Sequence, residues 1–191
     1  MQRHSGSWED TIKIGGIIYT CGYCGSKTSP SFGYKSLGYD GYDHFTSGYI
    51  CICPGCNNPT FLVSEKSQVP GPLIGRKIKN LPEEIESLYD EIRKCISVSA
   101  YTSAVLSSRK LLMNIAVHQG APENKRFVEY VDYLETNHYI PPQGRSWVDK
   151  IRRKGNEATH EIAVMDKSDG EELFSFLEVL LIFVFEFMAI S

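Results

Sequence analysis

Cys21-Gly22-Tyr23-Cys24 and Cys53-Pro54-Gly55-Cys56 each hold two thiols at the tight-turn spacing that lets both sulfurs reach one tetrahedral ion. Two such pairs define a four-thiolate site, with Zn2+ as the expected ion. Four protein ligands leave no open position for an activated water, so the metal is expected to be structural. A β-rich segment of this length has little core of its own, and a structural zinc contributes on the order of 10 kcal/mol to folding. Cys51 shares strand parity with Cys53 and is placed either to pack beside the site or to substitute as a ligand, packing being the simpler role. The last cysteine, Cys95, reads as a core residue of a helix.

Working outward, residues 11–20 are rich in β-branched side chains and read as one strand entering Cys21. Residues 49–53 read as a strand entering the second pair, and residues 60–64 as a strand leaving it. The Gly/Tyr-rich segment between the pairs reads as a long hairpin loop. Its Tyr34, Tyr39, Tyr42, Phe45 and Tyr49 are expected to cover the thin core, with stacking on exposed bases as the alternative.

Beyond residue 67 the pattern changes. Pro70, Gly71, Pro72 and Gly75 mark residues 68–80 as a linker between a β-rich domain (1–67) and a helical one (81–191). Asn80-Leu81-Pro82-Glu83-Glu84 supplies a cap, a first-turn proline and acids for a helix running to about Val98. Residues 100–118 form a second helix with Tyr101, Val105, Leu112 and Ile115 on its apolar face, ended by Gln119-Gly120. Residues 125–137 form a third around Phe127, Val131 and Leu134. A short segment over 146–153 and a last helix over 171–190 complete the expected fold: α+β, a small N-terminal ribbon followed by an all-α up-and-down bundle.

The 191 residues are 42% hydrophobic and 23% charged, enough to bury a core. The net charge of −3 argues against a protein that coats nucleic acid by bulk electrostatics. Charge is divided, +3 before residue 81 and −6 from residue 81 onward. Within the acidic half, Arg145, Lys150, Arg152, Arg153 and Lys154 form a local cationic patch beside the single Asp149, a candidate surface for RNA or DNA; Arg109 is a further candidate phosphate contact or the partner of a bundle carboxylate.

The polar start lacks the apolar core of a secretory signal, so a reducing cytoplasm is expected. Residues 173–190 are apolar enough to raise the question of a membrane anchor, but Glu178 and Glu186 lie inside the stretch. Each carboxylate at bilayer depth costs roughly 2 kcal/mol or more. With Ser175 and Ile182 they trace a narrow stripe at helical spacing, the signature of a nearly buried helix with one wet edge, so no membrane association is expected.

Arg153, Asn156 and His160, at i, i+3 and i+7, fall on one face of a continuous helix. About 10.5 Å of rise separates the outer two, room for one phosphate-sized group between long side chains. The plain alternative is a helix surface in which these groups satisfy one another's neighbours.

Leu81-Pro-Glu-Glu-Ile85, the run from Ala104 through Arg109 to Leu112, Tyr139-Ile140-Pro141 and, above all, Ile151-Arg-Arg-Lys-Gly-Asn-Glu-Ala-Thr-His160 carry a resemblance. The chain resembles a domain-of-unknown-function family found alone, behind a zinc ribbon, or attached to type I restriction endonuclease subunits, and that family is similar to the HEPN superfamily. The resemblance implies an arginine, four to six residues, then a histidine, doubled across a homodimer that cuts RNA without metal in defence or as a toxin. Here Arg153 and His160 stand at the outer spacing limit, with Lys154 where a polar residue usually follows the arginine. It implies His160 as general base or acid, Arg153 holding the phosphorane charge, and Asn156 orienting one of them. A homodimer would also give the apolar final helix a surface to bury. The alternative function is a noncatalytic module binding nucleic acid or a protein.

Overall fold

Gly15 and Gly16 interrupt the β-branched run before the first cysteine, and Gly16 takes φ +77°. The stretch expected as one strand is therefore two, β1 (Ile12–Lys13) and β2 (Tyr19–Thr20), which join different sheets. The structure, a computed structural model, describes residues 3–64, 67–140, 144, 146, 148–150, 152–153 and 164–187. The fold class is α+β: a β-rich region carrying a cysteine cluster, then helices. The chain divides into two compact units, Met1–Leu73 and Ile74–Ser191.

In the first unit β2 pairs antiparallel with β3 (Lys27–Thr28) around the first cysteine pair. The Gly/Tyr-rich segment is not the expected loop. It is a hairpin of two paired strands, β4 (Phe32–Tyr39) and β5 (His44–Ile52), with a bulge at Ser36/Leu37. Asp40 closes its turn, its carboxylate accepting from the backbone N–H of Tyr42 and Asp43 at 2.9 Å each. The glycines that blur the alternation of this segment sit within the strands because rings or backbone occupy the space above them: a Cβ on Gly38 would meet the Phe45 ring, and one on Gly48 the Leu62 carbonyl and the Phe61 ring. With β6 (Pro59–Ser64) and β7 (Ser67–Val69) they complete an antiparallel sheet of order β1-β4-β5-β6-β7. One face of it, through Cys51 and Leu62, packs with Tyr19, Cys21, Cys53 and Cys56 into a small core.

The stretch expected as a linker, 68–80, is shared between the units. Val69 still pairs with Phe61 in the sheet, whereas Ile78 is buried in the helical core.

The helical unit comprises α1 (Glu83–Ser97), α2 (Tyr101–His118), α3 (Phe127–Thr136) and α4 (Lys167–Leu181), the last continued by a π-helical stretch, Ile182–Phe187. Helix α1 starts after Pro82, with Glu83, Glu84 and Glu86 at its positive end; Asn80, expected as the cap, takes φ +61° and instead donates from its side chain to the Phe185 carbonyl. Helix α4 begins earlier than residue 171 because Asp166 caps it, accepting from Asp169 N at 2.9 Å while Asp169 accepts from Asp166 N. Residues 146, 148–150 and 152–153 are also helical. Helix α2 lies at the centre, packed on α1, α3 and α4. The apolar stretch at the C-terminal end is largely core: Leu173, Phe174, Phe176, Leu177, Leu180, Leu181, Val184 and Phe185 are all buried. Among the described residues no helix is long and apolar enough to cross a membrane.

Candidate metal centre

The two cysteine turns are built alike. After Cys21, Gly25 N donates to Cys21 O at 2.8 Å and Cys21 N to Ser26 O at 3.0 Å. After Cys53, Asn57 N donates to Cys53 O at 2.8 Å and Cys53 N to Asn58 O at 3.0 Å. Each turn closes through a left-handed residue in the same place, Gly25 at φ +68° and Asn57 at φ +60°. Glycine takes that conformation freely, and asparagine is among the few other residues that take it readily. The Asn57 amide is used besides, donating to Gly6 O at 2.7 Å and His4 O at 3.2 Å, while Trp8 Nε1 donates to Asn57 O at 3.1 Å. The N-terminal segment is thus laced onto the second turn.

This geometry brings four sulfurs together. Cys21 Sγ lies 3.7 Å from Cys56 Sγ, Cys24 Sγ lies 3.6 Å from Cys53 Sγ, and all four are within 4.8 Å of one another. Tetrahedral ligands about 2.3 Å from a central ion stand about 3.8 Å apart, so the set has the size of a four-thiolate metal site and can hold a metal ion. None of the six cysteines is in a disulfide. Cys51 is wholly buried in the adjoining core and lies outside the set of four, so it packs.

The thiols are unlike in environment. Burial pushes Cys21 and Cys53 upward and raises Cys51 to about 11. Burial also opposes ionisation of Cys24, but hydrogen bonds from the Ser26 side chain and backbone outweigh it and bring that thiol down to about 7. Beside the cluster, the buried hydroxyls of Tyr19 and Thr60 neighbour each other, and neither makes a well-formed hydrogen bond among the described residues. Two orphaned O–H donors in an otherwise apolar pocket fit a site whose sulfurs carry negative charge when metal is bound.

The other candidate residues are distributed differently. The Arg109 guanidinium lies 4.3 Å from the centre of the Phe127 ring, and burial lowers its basicity. Lys150 pairs with Glu172, and Arg152 with Asp149 at 3.4 Å, so the cationic patch is partly neutralised by neighbours. Arg153 is helical and exposed. Arg145, Lys154, Asn156 and His160 lie outside the described residues. Sequence reasoning missed Asn57, Tyr19 and Thr60. Asn57 was legible, since it follows Cys56 as Gly25 follows Cys24, whereas Tyr19 and Thr60 belong to different sheets and come beside the cysteines only through tertiary packing.

A four-cysteine cluster in a β-rich unit, ahead of a separate helical unit, defines the class of protein. The family model described as Domain of unknown function (DUF4145) matches residues 90–189, just over half of the chain, and the chain belongs to that family. The match falls within the helical unit, and the cysteine cluster precedes it. No curated protein and no solved structure matches the chain.

Proposed function

We propose that this chain is a HEPN-like, nucleic-acid-associated protein of a reducing cytoplasm, whose N-terminal unit is a ribbon held by a structural zinc ion on Cys21, Cys24, Cys53 and Cys56. The convergence of the four sulfurs carries the zinc reading. Thiolates are the ligands a borderline-soft ion prefers, and a closed tetrathiolate shell holds folded structure instead of activating water. Metal analysis of the purified protein is expected to give one zinc per chain, and Co2+ exchange to give the absorption of tetrahedral cobalt thiolate. Zinc-free protein with an intact N-terminal unit would reject this part. Nucleic-acid association is tested by binding of labelled RNA and DNA across a salt series, where each phosphate neutralised steepens the salt dependence. Failure to bind either would leave the alternative, a protein-binding module.

A second reading makes the helical unit a metal-independent endoribonuclease, with His160 as acid or base, Arg153 on the phosphate and Asn156 orienting them. It is favoured by Arg153, which stands exposed with no ion-pair partner among the described residues, in contrast to Lys150 and Arg152. Activity would need a homodimer, and the exposed Val179, Phe183 and Phe187, spaced along the last helix, supply an apolar edge for one. RNA cleavage in EDTA by zinc-retaining protein, lost in His160→Ala and Arg153→Ala, is the expected result; intact RNA after incubation with verified dimer would sink it.

A further inference from the structure

The face of the five-stranded sheet opposite the cysteine core is an aromatic surface. Cross-strand register places Tyr34, Ile50, Phe61 and Val69 side by side over four strands. Alternation along β4 adds Phe32 to the same face, and Phe45 joins it opposite Gly38. The three phenylalanines cover no core, Phe32 being 51% exposed, Phe45 51% and Phe61 40%, whereas Tyr34 is half-buried and its hydroxyl donates to the Glu9 carbonyl. At the hairpin tip Tyr42 is 92% exposed, so the expectation that these aromatics shield a thin core fails for Phe45, Tyr39 and Tyr42. Tyr49, on the opposite face, does pack on the cysteine core.

Two of the rings are laid over glycines. A Cβ on Gly38 would sit 2.4 Å from the Phe45 ring, and one on Gly48 would sit 3.1 Å from the ring of Phe61. A ring that spreads over a glycine covers backbone with one side and turns its other side outward. The sheet therefore offers ring surfaces, which suit flat partners. Among the described strand residues on this face, Lys13, opposite Phe32, is charged and none is acidic. Planar aromatic ligands joined by an anionic backbone match that chemistry.

We propose that this face is a stacking platform for single-stranded nucleic acid, with Phe61 and Phe45 each carrying one base and Lys13 meeting the backbone. The inference rests on the nucleic-acid association proposed above and assigns it to the ribbon unit. It predicts little sequence preference, because every base has a π-face.

The test uses the full zinc-loaded chain and labelled oligothymidylate and oligouridylate of about twelve nucleotides, followed by fluorescence anisotropy. Phe61→Ala and Phe45→Ala are each expected to weaken binding about tenfold, Phe61→Tyr to retain it, and a duplex of the same length to bind less well. Both phenylalanines are exposed, so the variants should keep zinc content and melting temperature, and both are measured. If the oligonucleotide binds wild type and both alanine variants equally, the platform is overturned while nucleic-acid association stands. If wild type binds no nucleic acid, both fall. A wild-type dimer in sedimentation that Phe61→Ala converts to monomer would make this face a self-association surface and would also overturn the proposal.

Discussion

Glu186, five residues before the end of the chain, accepts from both guanidinium nitrogens of Arg76, at 3.0 and 2.5 Å, and from Lys79 N at 2.8 Å. One turn pair earlier on the same helical face, Glu178 accepts from Arg76 N at 2.7 Å and from the Tyr89 hydroxyl at 3.1 Å. The two acids inside the apolar terminal stretch thus clamp the segment that leads into α1. Arg93 holds it from the other side, donating from Nε to Ile74 O at 2.7 Å. The wet edge of the last helix is this clamp, flanked by the exposed Val179, Phe183 and Phe187.

Acid should loosen the clamp. The hydrogen bond from Arg76, with that from the Lys79 backbone, holds the Glu186 carboxyl down at about 2, against an ordinary value of 4.5. A carboxyl whose folded pKa is depressed adds stability above its unfolded pKa and loses it as pH falls toward the folded value. Glu186→Gln is expected to melt below wild type at neutral pH, and the difference to shrink between about pH 4.5 and 2. A gap that stays constant through that window, followed by far-UV circular dichroism, would contradict this account.

Gly75 sits where no side chain fits. Its φ is +70°, and a Cβ there would come within 2.5 Å of the Phe174 ring and 2.6 Å of Glu178 Oε1. Strain and overpacking act together, so Gly75→Ala is expected to cost about 2 kcal/mol in chemical denaturation.

Buried hydroxyls with and without partners should respond to different extents. The Tyr89 hydroxyl donates toward Arg76 O and Glu178, both at 3.1 Å, and Tyr89→Phe is expected to cost about 1–2 kcal/mol. Tyr19 makes no well-formed hydrogen bond among the described residues, so Tyr19→Phe is expected to cost less than about 0.5 kcal/mol of folding. If its hydroxyl supports a metal-bound sulfur, the same variant will lose zinc to a competing chelator more readily.

Metal removal should act on one unit. The core around Tyr19, Cys51 and Leu62 is small and shares its residues with the four-thiol set. Stripping the metal proposed for this site is expected to unfold it while the helical signal persists. Trp8, bonded to Asn57 in the second cysteine turn, reports this in a Trp147→Phe background: its emission should shift to the red on chelation. Loss of the helical signal in step with Trp8 would show that the two units unfold together.

Spacing alone identified the four sulfurs, because a Cys-x-x-Cys turn is local and its two ends are fixed by a few backbone hydrogen bonds. The first-turn proline and acids identified α1, and periodicity α2 and α3, for the same reason: Val105, Leu112, Phe127 and Leu134 repeat at the helical interval and are buried. Capping at Asp166 is equally local, and it starts α4 ahead of the expected residue 171. Three things needed the tertiary structure. The glycine-rich segment looked like a loop until pairing showed Phe45 and Phe61 lying over Gly38 and Gly48. Glu178 and Glu186 looked merely solvated until residues 74–79, a hundred positions away, arrived to be held. The cationic patch looked open until Glu172 came alongside Lys150. Local spacing fixes what a few neighbouring residues can do, whereas long-range packing decides which charges are paired and which rings stay in water.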